Sequence, residues 1–522
     1  MSRATRTALV RDDRTAYEAV AGTAVGLSGV AFAVGLAALL DVVAIDDSVA
    51  GVELSVAFGA TLLALGVSVV GFGAASRLGY VDASPQPSAG LVAAAAFTAI
   101  WFAVGAAVSG ALGIGTGGRL GAGATLGGVA FATTAFPRED VGSTVPAGML
   151  AGLCGLLLVT GIVGPGWEQV LVRYNATLFG DTVVPLIVLF ASLVAGWSAA
   201  KAYGGFGARG RNVGAYVLIY LVVCSILVVL VGLVGFVTVK GLPGLFNGFG
   251  VGGAALISWP FLTNGAGLLA DIAGVFPALV GTVWLVIGAV LFAVPTGVGA
   301  AVFLSEYAEQ GRFTGAVEVA TNGLWSTPSI VFGLFGAAFL IPRFGNQKSL
   351  IAGMLTLGFM LLPLVLITSR EAILAVPDEY RDASAALGVS KWQTIRSVVL
   401  PAAIPGVTTG VILGVGRIAG ETAPILLTMG GGVLPAKSAA PDVLGGFRLS
   451  ASPPFVSNPS LLEATSALPY QLYALITAGL SGNIQNPQEY AWGLALTLLL
   501  VVLVFYAIGI ATRYYFRRKL HQ

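Results

Sequence analysis

PDEYRDASAALGVSKWQTIRSVVLP, residues 377–401, is a polar stretch set between two long apolar runs. Its residues spell two short helices joined by a turn. Asp378 is placed to cap the first helix, and Gly388 supplies the left-handed backbone that ends it. Ser390, followed three residues later by Gln393, forms a capping box that starts the second helix. Trp392, Ile395 and Val399 recur at spacings of three and four, which gives this helix an apolar edge to lay on a membrane domain. Pro401 is expected to break the chain before the next run.

Working outward, apolar runs occupy about 19–40, 54–76, 90–112, 119–137, 145–164, 182–200, 214–238, 272–303, 316–342, 349–369, 402–429 and 490–512. Crossing a hydrocarbon core some 30 Å thick takes about 20 apolar residues as a helix. The runs at 119–137 and 145–164 are Gly-rich and interrupted by Pro137 and Pro146. Of 522 residues, 57% are hydrophobic and only 10% charged, with mean hydropathy +0.92. A soluble domain carries about 25% charged residues, so water cannot solvate most of this surface. An isolated strand in lipid leaves its backbone unsatisfied, and the alternation of a barrel strand is absent, so the runs must be helices. The expected fold is an all-α, polytopic membrane bundle of about twelve spans. The 73 glycines suit closely packed helices in lipid.

The totals remove other chemistry. The one histidine, His521, sits in a basic tail, which leaves no His-based catalysis or His-rich metal site within the membrane. Cys154 and Cys224 lie inside apolar runs without a CxxC spacing and read as packing residues. A net charge of +2, spread over short loops, argues against nucleic acid. No GxxxxGK[ST] phosphate loop is present, so the chain does not hydrolyse ATP by that machinery. Neither a metal nor a cofactor is expected.

Lys and Arg in short loops favour the cytoplasm. Arg3, Arg6, Arg11 and Arg14 orient the start of the chain, and no cleaved signal peptide is expected there. Arg77, Arg138, Lys201, Arg209, Arg211, Arg312, Arg370, Arg381, Lys391 and Arg396 fall on one side, with Arg513, Arg517, Arg518 and Lys519 in the tail. Asp41, Asp46, Asp47 and Glu53 fall on the other. The pattern needs an even number of spans, with both termini cytoplasmic. KAYGGFGARGRN at 201–212 marks a boundary between a first half, 1–210, and a second, 211–522. The Pro-rich loop at about 430–488 then faces outward, and SALPYQLYALITAGL (466–480) is too short to span and reads as an interfacial or re-entrant helix.

The helix-turn-helix at 377–401 resembles the EAA loop of ABC importer permeases, which reads Glu-Ala-Ala, three residues, Gly, nine residues, then Ile-x-Leu-Pro. The pattern falls on Asp382-Ala383-Ser384, Gly388 and Val398-Val399-Leu400-Pro401, with Asp for Glu, Ser for Ala and Val for Ile. A second motif, RIAGETAP at 417–424, is similar to the RAxGETAP signature of PstA-type permease subunits of phosphate-specific ABC importers. Segments 281–308, 327–336 and 355–366 look like that family's second, third and fourth core spans, in order, so the resemblance covers most of 214–512. Where the family commonly has Arg-Thr-x-Glu, this chain has Ile367-Thr368-Ser369-Arg370, so the family's arginine is not carried over.

The resemblance implies a six-helix permease core in 211–522 with its ATPase-docking loop at 377–401, formed by Asp382, Ala383, Ser384, Gly388, Leu400 and Pro401. It implies alternating access, with an ATP-binding subunit dimer under the loop, an extracytoplasmic phosphate-binding protein, a PstC-like second permease and a phosphate-signalling regulator, all at the cell membrane of a prokaryote. The chain would be the transport subunit and no enzyme. Arg417 and Glu421, four residues apart, are charges inside an apolar run, where charge is costly and faces a bundle interior or a water-filled path. Arg offers paired hydrogen bonds to two oxygens of an anion, so Arg417 is the expected contact for the oxyanion. Glu421 orients it, and Thr422, Thr408 and Thr409 offer hydroxyls. An Arg417–Glu421 pair that only locks helices together is the competing reading. A permease for another oxyanion would share the loop and lack the GETAP element, a secondary transporter would have no use for a docking turn, and a membrane scaffold or sensor subunit would bind through the loop without moving a solute. Residues 1–210 lie outside the resemblance, with no EAA pattern and no intramembrane Arg/Glu pair, and read as an extension of about six hydrophobic helices.

Overall fold

The computed structural model describes residues 16–520 apart from 50, 82, 112, 172–174, 253–256, 267–271, 310, 433, 453–454, 479–483 and 485. The four N-terminal arginines at 3, 6, 11 and 14, and His521, lie outside the described residues. Each of the twelve apolar runs is helical. Among the described residues, ten helices are long and apolar enough to cross a membrane, and an eleventh span results if a bent pair, Arg312–Trp325 with Ser329–Arg343, counts as one. The run at 119–137 forms the helix Thr116–Ala135, whose glycines, threonines and Arg119 leave it less apolar than the rest. Strands among the described residues form only short antiparallel hairpins, such as Glu168–Leu171 with Ala176–Phe179.

The chain divides into two compact units, Met1–Leu233 and Val234–Gln522, and the division falls inside the helix Gly207–Leu245. In the first unit, α1 (Ala16–Leu39), α2 (Leu54–Arg77), α3 (Leu91–Ala111), α4 (Thr116–Ala135), α5 (Glu139–Val159) and α6 (Gly180–Tyr203) precede α7 (Gly207–Leu245). Its core gathers Phe58, Leu62, Leu65, Val69, Val184 and Val188. Helices α2 and α5 approach at backbone distance. A Cβ on Gly66 would stand 2.7 Å from the Gly148 carbonyl oxygen, and one on Gly59 would stand 2.8 Å from that of Gly155. Small residues in register give such closeness in lipid, where van der Waals contact replaces the hydrophobic effect between helices, and this accounts for part of the glycine excess.

Several loop charges of this unit are drawn inward. Lys201, 1% exposed, places Nζ 2.8 Å from Glu139 Oε1, and Arg211 Nη1 lies 3.7 Å from Glu139 Oε2. The backbone N–H groups of Gln86 and Gly207 also donate to Glu139, at 3.2 and 3.0 Å. Asp140, fully buried, accepts from Ser76 Oγ at 3.0 Å and lies 3.4 Å from Arg138 Nη2. The first half therefore holds a buried Lys–Glu pair at helix ends, a kind of pair different from the intramembrane Arg/Glu pair that its sequence lacks. Its glutamate opens α5 and its lysine closes α6, so tertiary packing joins two residues that read separately as end-of-helix charges.

In the second unit, α8 (Phe276–Val302) packs along α11 (Leu350–Leu374), with Leu285, Val286, Ala289, Leu357, Leu361 and Val365 in the shared core. Between them in the chain lie α9 (Arg312–Trp325), the first arm of the bent pair, and α10 (Ser329–Phe335), which opens its second arm; the arms meet at 103°. Two short helices follow α11 in importance: α12 (Asp378–Ala386) in the polar loop and α14 (Ala423–Thr428), which comes after α13 (Lys391–Ala419). The 11-residue α15 (Leu468–Ala478) is too short to span. One face of it is buried, with Leu468 N–H donating to Thr282 Oγ1 at 2.9 Å and Gln471 Nε2 donating to Tyr490 OH at 2.9 Å on α16 (Pro487–Leu520), while Tyr473 and Ile476 stay exposed.

Candidate functional site

The polar loop folds as two helices around Gly388, whose φ is +71°. This left-handed backbone costs a residue with a Cβ about 1–2 kcal/mol. The capping box at Ser390 and Gln393 is formed, with Ser390 N–H donating to Gln393 Oε1 at 3.1 Å and Gln393 N–H donating to Ser390 Oγ at 3.4 Å. Asp378 does not cap the first helix. Pro377 takes the cap position in extended backbone, and Asp378, one place inside, accepts from Arg381 Nη1 at 3.2 Å.

Pro401 does not break the chain, because α13 runs unbroken through it as a 29-residue span. Residues Ile395–Val399 form a π-turn in which Leu400 N–H donates to Ile395 O, five residues back. The widened turn accommodates a ring that would otherwise press on the carbonyl four residues behind it. Ile395 and Val399 are buried with Ala301, Ile373 and Ala403, whereas Trp392 is 53% exposed. The apolar edge of the second helix is thus shorter than its spacing suggests.

Ser384, buried, shares a hydrogen bond of 2.8 Å with Thr394 Oγ1 and ties the two helices across the turn. Arg381 ties the loop to the membrane domain. It reaches Glu306 Oε1 at 2.8 Å through Nη2 and at 3.2 Å through Nε, and donates to the Val376 and Ile373 carbonyls at 2.7 and 3.1 Å. Asp382, Ala383 and Leu387 stay exposed. Ala383 and Leu387 line a groove of about 690 Å³ with Tyr380, Val389, Gln393 and Val398. An anchored turn that offers small and apolar side chains on its outer side can receive a partner surface and pass its displacement into α11 and α13 as a rigid lever.

The second motif is not on one helix. Helix α13 ends at Ala419 and α14 begins at Ala423, with Arg417 in the last turn of one and Glu421 in the break. Pro424 imposes the break, because within a continuous helix its ring would meet the carbonyl of Gly420. Arg417 Nε stands 3.9 Å from Glu421 Oε1, a long contact, and the guanidinium lies over the Trp325 ring at 4.4 Å. Its side chain is 36% exposed and that of Glu421 17%. Stacking on an aromatic face holds the guanidinium plane while leaving its donors free.

Thr422 stands at the start of α14 and makes no capping hydrogen bond. Thr408 and Thr409 donate to the Ile404 and Pro405 carbonyls of their own helix, each at 2.8 Å. They also lie about 12–14 Å from Arg417 along the axis at 1.5 Å per residue, so the structure does not bring them to the arginine. Arg370 pairs with Glu318 at 3.3 Å and lines a cavity of about 240 Å³ with Ile367, Asn322 and Glu371. Two carboxylates against one guanidinium leave that cavity without excess positive charge. Trp325, Glu306 and Glu318 are the partners that sequence reasoning missed, since each meets its arginine from a separate helix and leaves no local signal.

A family described as "Binding-protein-dependent transport system inner membrane component" matches residues 293–522. Among curated proteins, the chain is similar to the probable ABC transporter permease protein YqgI of Bacillus subtilis, at 35% identity over 199 residues, which cover 38% of this chain and 68% of that protein. It is also similar to the phosphate transport system permease protein PstA of Mycobacterium leprae, at 35% identity over 251 residues, covering 47% of this chain and 72% of the relative. PstA 1 of Mycobacterium tuberculosis is 36% identical over 233 residues, covering 44% and 67%. Among solved structures, a chain of the inward-facing MetNI methionine ABC transporter matches with a TM-score of 0.34 at 19% identity, covering 47% of this chain and 94% of that one.

Proposed function

The chain belongs to the binding-protein-dependent transport inner-membrane components, as a PstA-type ABC permease, and we propose that it lines the path of an ATP-driven importer of inorganic phosphate. It is a multi-pass inner-membrane transport subunit that works with a partner ATPase and a substrate-binding protein, as its family implies. The observation that carries the substrate is Arg417, held on the Trp325 ring at a helix break with its donors largely unused. A divalent oxyanion leaving water needs charge and paired donors, and a guanidinium supplies both. Glu421, at 3.9 Å, is near enough to orient the guanidinium and too far to saturate it, which lets the anion depart again. Thr422, at the same break, is the hydroxyl best placed to assist.

The ATPase is proposed to seat on the groove beside Ala383 and Leu387, with Asp382, Ser384, Gly388, Leu400 and Pro401 shaping the turn. Closure of two such subunits on ATP would push the loop, and Arg381 would carry the push to Glu306. With one docking loop, this chain needs a second permease, of PstC type, to enclose the path, and a phosphate-signalling regulator fits the same complex. Residues 1–210 serve as an added helical module, and both termini face the cytoplasm. The test is uptake of labelled phosphate into vesicles holding the assembled complex. Uptake that needs ATP, the ATPase and the binding protein, and that sulfate and molybdate fail to compete, supports the reading. Uptake that persists without ATP overturns it.

A further inference from the structure

We infer that the first unit holds an anionic phospholipid in a slot between α3, α6 and α7, with the lipid phosphate at Arg211 and one acyl chain lying along the helices. The slot has a volume of about 460 Å³. Ala93, Ala96 and Phe97 of α3 and Val194 of α6 form its apolar part, and Lys201 and Arg211 lie at one end. That end is where α6 finishes and α7 starts, next to the first turn of α3. A slot running from helix ends into the apolar segment of three spans has the layout of a lipid, with its charge at the interface and its chain in the hydrocarbon.

The two cations differ. Lys201 is 1% exposed and taken by Glu139 at 2.8 Å, while its ammonium also lies 4.8 Å from the Trp197 ring centre. Arg211 is 44% exposed, and its contact with the same carboxylate is 3.7 Å. Glu139 is already ion-paired with Lys201 and accepts from the N–H groups of Gln86 and Gly207, so Arg211 retains donors for a phosphate. Of the neighbouring helix-end charges, Arg138 is met by Asp140 at 3.4 Å, and Arg209 lines a separate cavity with Glu18 and Tyr203. The slot itself then carries two cations, Lys201 and Arg211, against the one carboxylate of Glu139. That excess selects an anionic headgroup over a zwitterionic one, at about 1 kcal/mol per basic residue near a membrane surface.

The experiment compares the full-length purified chain in bilayer discs of phosphatidylglycerol and of phosphatidylcholine, followed by delipidation and mass measurement of retained lipid. Phosphatidylglycerol should remain bound and raise the unfolding temperature relative to phosphatidylcholine. Arg211→Gln should lower the phosphatidylglycerol preference about fivefold, the equivalent of about 1 kcal/mol. Ala96→Trp, which fills the slot and leaves every charge in place, should do the same in protein that elutes as a monodisperse fold. Arg209→Gln, outside the slot, should leave the preference intact. Equal retention of both lipids, an equal loss in Arg209→Gln, or wild-type retention in both slot variants overturns the inference. So does a photo-cross-linker at Ala93 that captures a protein chain in place of lipid.

Discussion

Two charged clusters in this chain have nearly the same ingredients and opposite character. At Glu139 a fully buried carboxylate receives a lysine, an arginine and two backbone N–H groups. At Arg417 a part-exposed guanidinium has one distant carboxylate and an aromatic face. A buried carboxylate already ion-paired and held by two backbone N–H groups is closed to a solute and acts as a fixed joint between helices. A charge held in place but left short of partners is prepared for something that arrives. The count of unused donors is therefore the ground on which Arg417, and not Glu139, is proposed as the transport contact.

The largest effect should come from the filled cluster. Glu139→Gln leaves Lys201 buried without its carboxylate, and loss of one partner of a buried pair costs about 3–5 kcal/mol. The unfolding midpoint of the detergent-solubilised chain should fall markedly, while uptake per correctly assembled complex stays near normal. A midpoint that does not move would show that Glu139 is dispensable to the fold and would erase the contrast between the clusters.

The reverse pattern is expected at the open cluster. Arg417→Ala should lower phosphate uptake at least tenfold, equivalent to about 1.4 kcal/mol in the barrier, with assembly and unfolding temperature unchanged. A complex that dissociates instead would place Arg417 among the structural charges. Between these lies the coupling turn. Gly388→Val forces a β-branched residue into positive φ at about 1–2 kcal/mol, a strain confined to an exposed loop. It should leave the fold and Arg417 intact while ATP hydrolysis by the partner proceeds without matching uptake, read as phosphate moved per ATP consumed. An unchanged ratio would remove the loop from the coupling path.

Much of this was legible along the chain. The spans, the turn at Gly388 and the Ser390–Gln393 box rest on interactions within a few residues, so spacing and residue type suffice to place them. The same local logic erred where a competing neighbour was overlooked. Pro377 displaced Asp378 from the cap, Pro424 split the helix expected to hold Arg417 and Glu421 together, and the π-turn at Ile395–Val399 carried α13 through Pro401.

What no local pattern contains is which charge meets which. Arg381 finds Glu306 across 75 positions, Trp325 comes under Arg417 from another helix, and Lys201 turns from a loop charge into the partner of Glu139. Apolar periodicity and helix ends are set by backbone hydrogen bonds between near neighbours, so the order of residues specifies them directly. Pairings between helices depend on packing of whole surfaces, down to the close approach of Gly66 to Gly148. Those surfaces are what bring an isolated arginine to the ring that holds it or to the carboxylate that neutralises it.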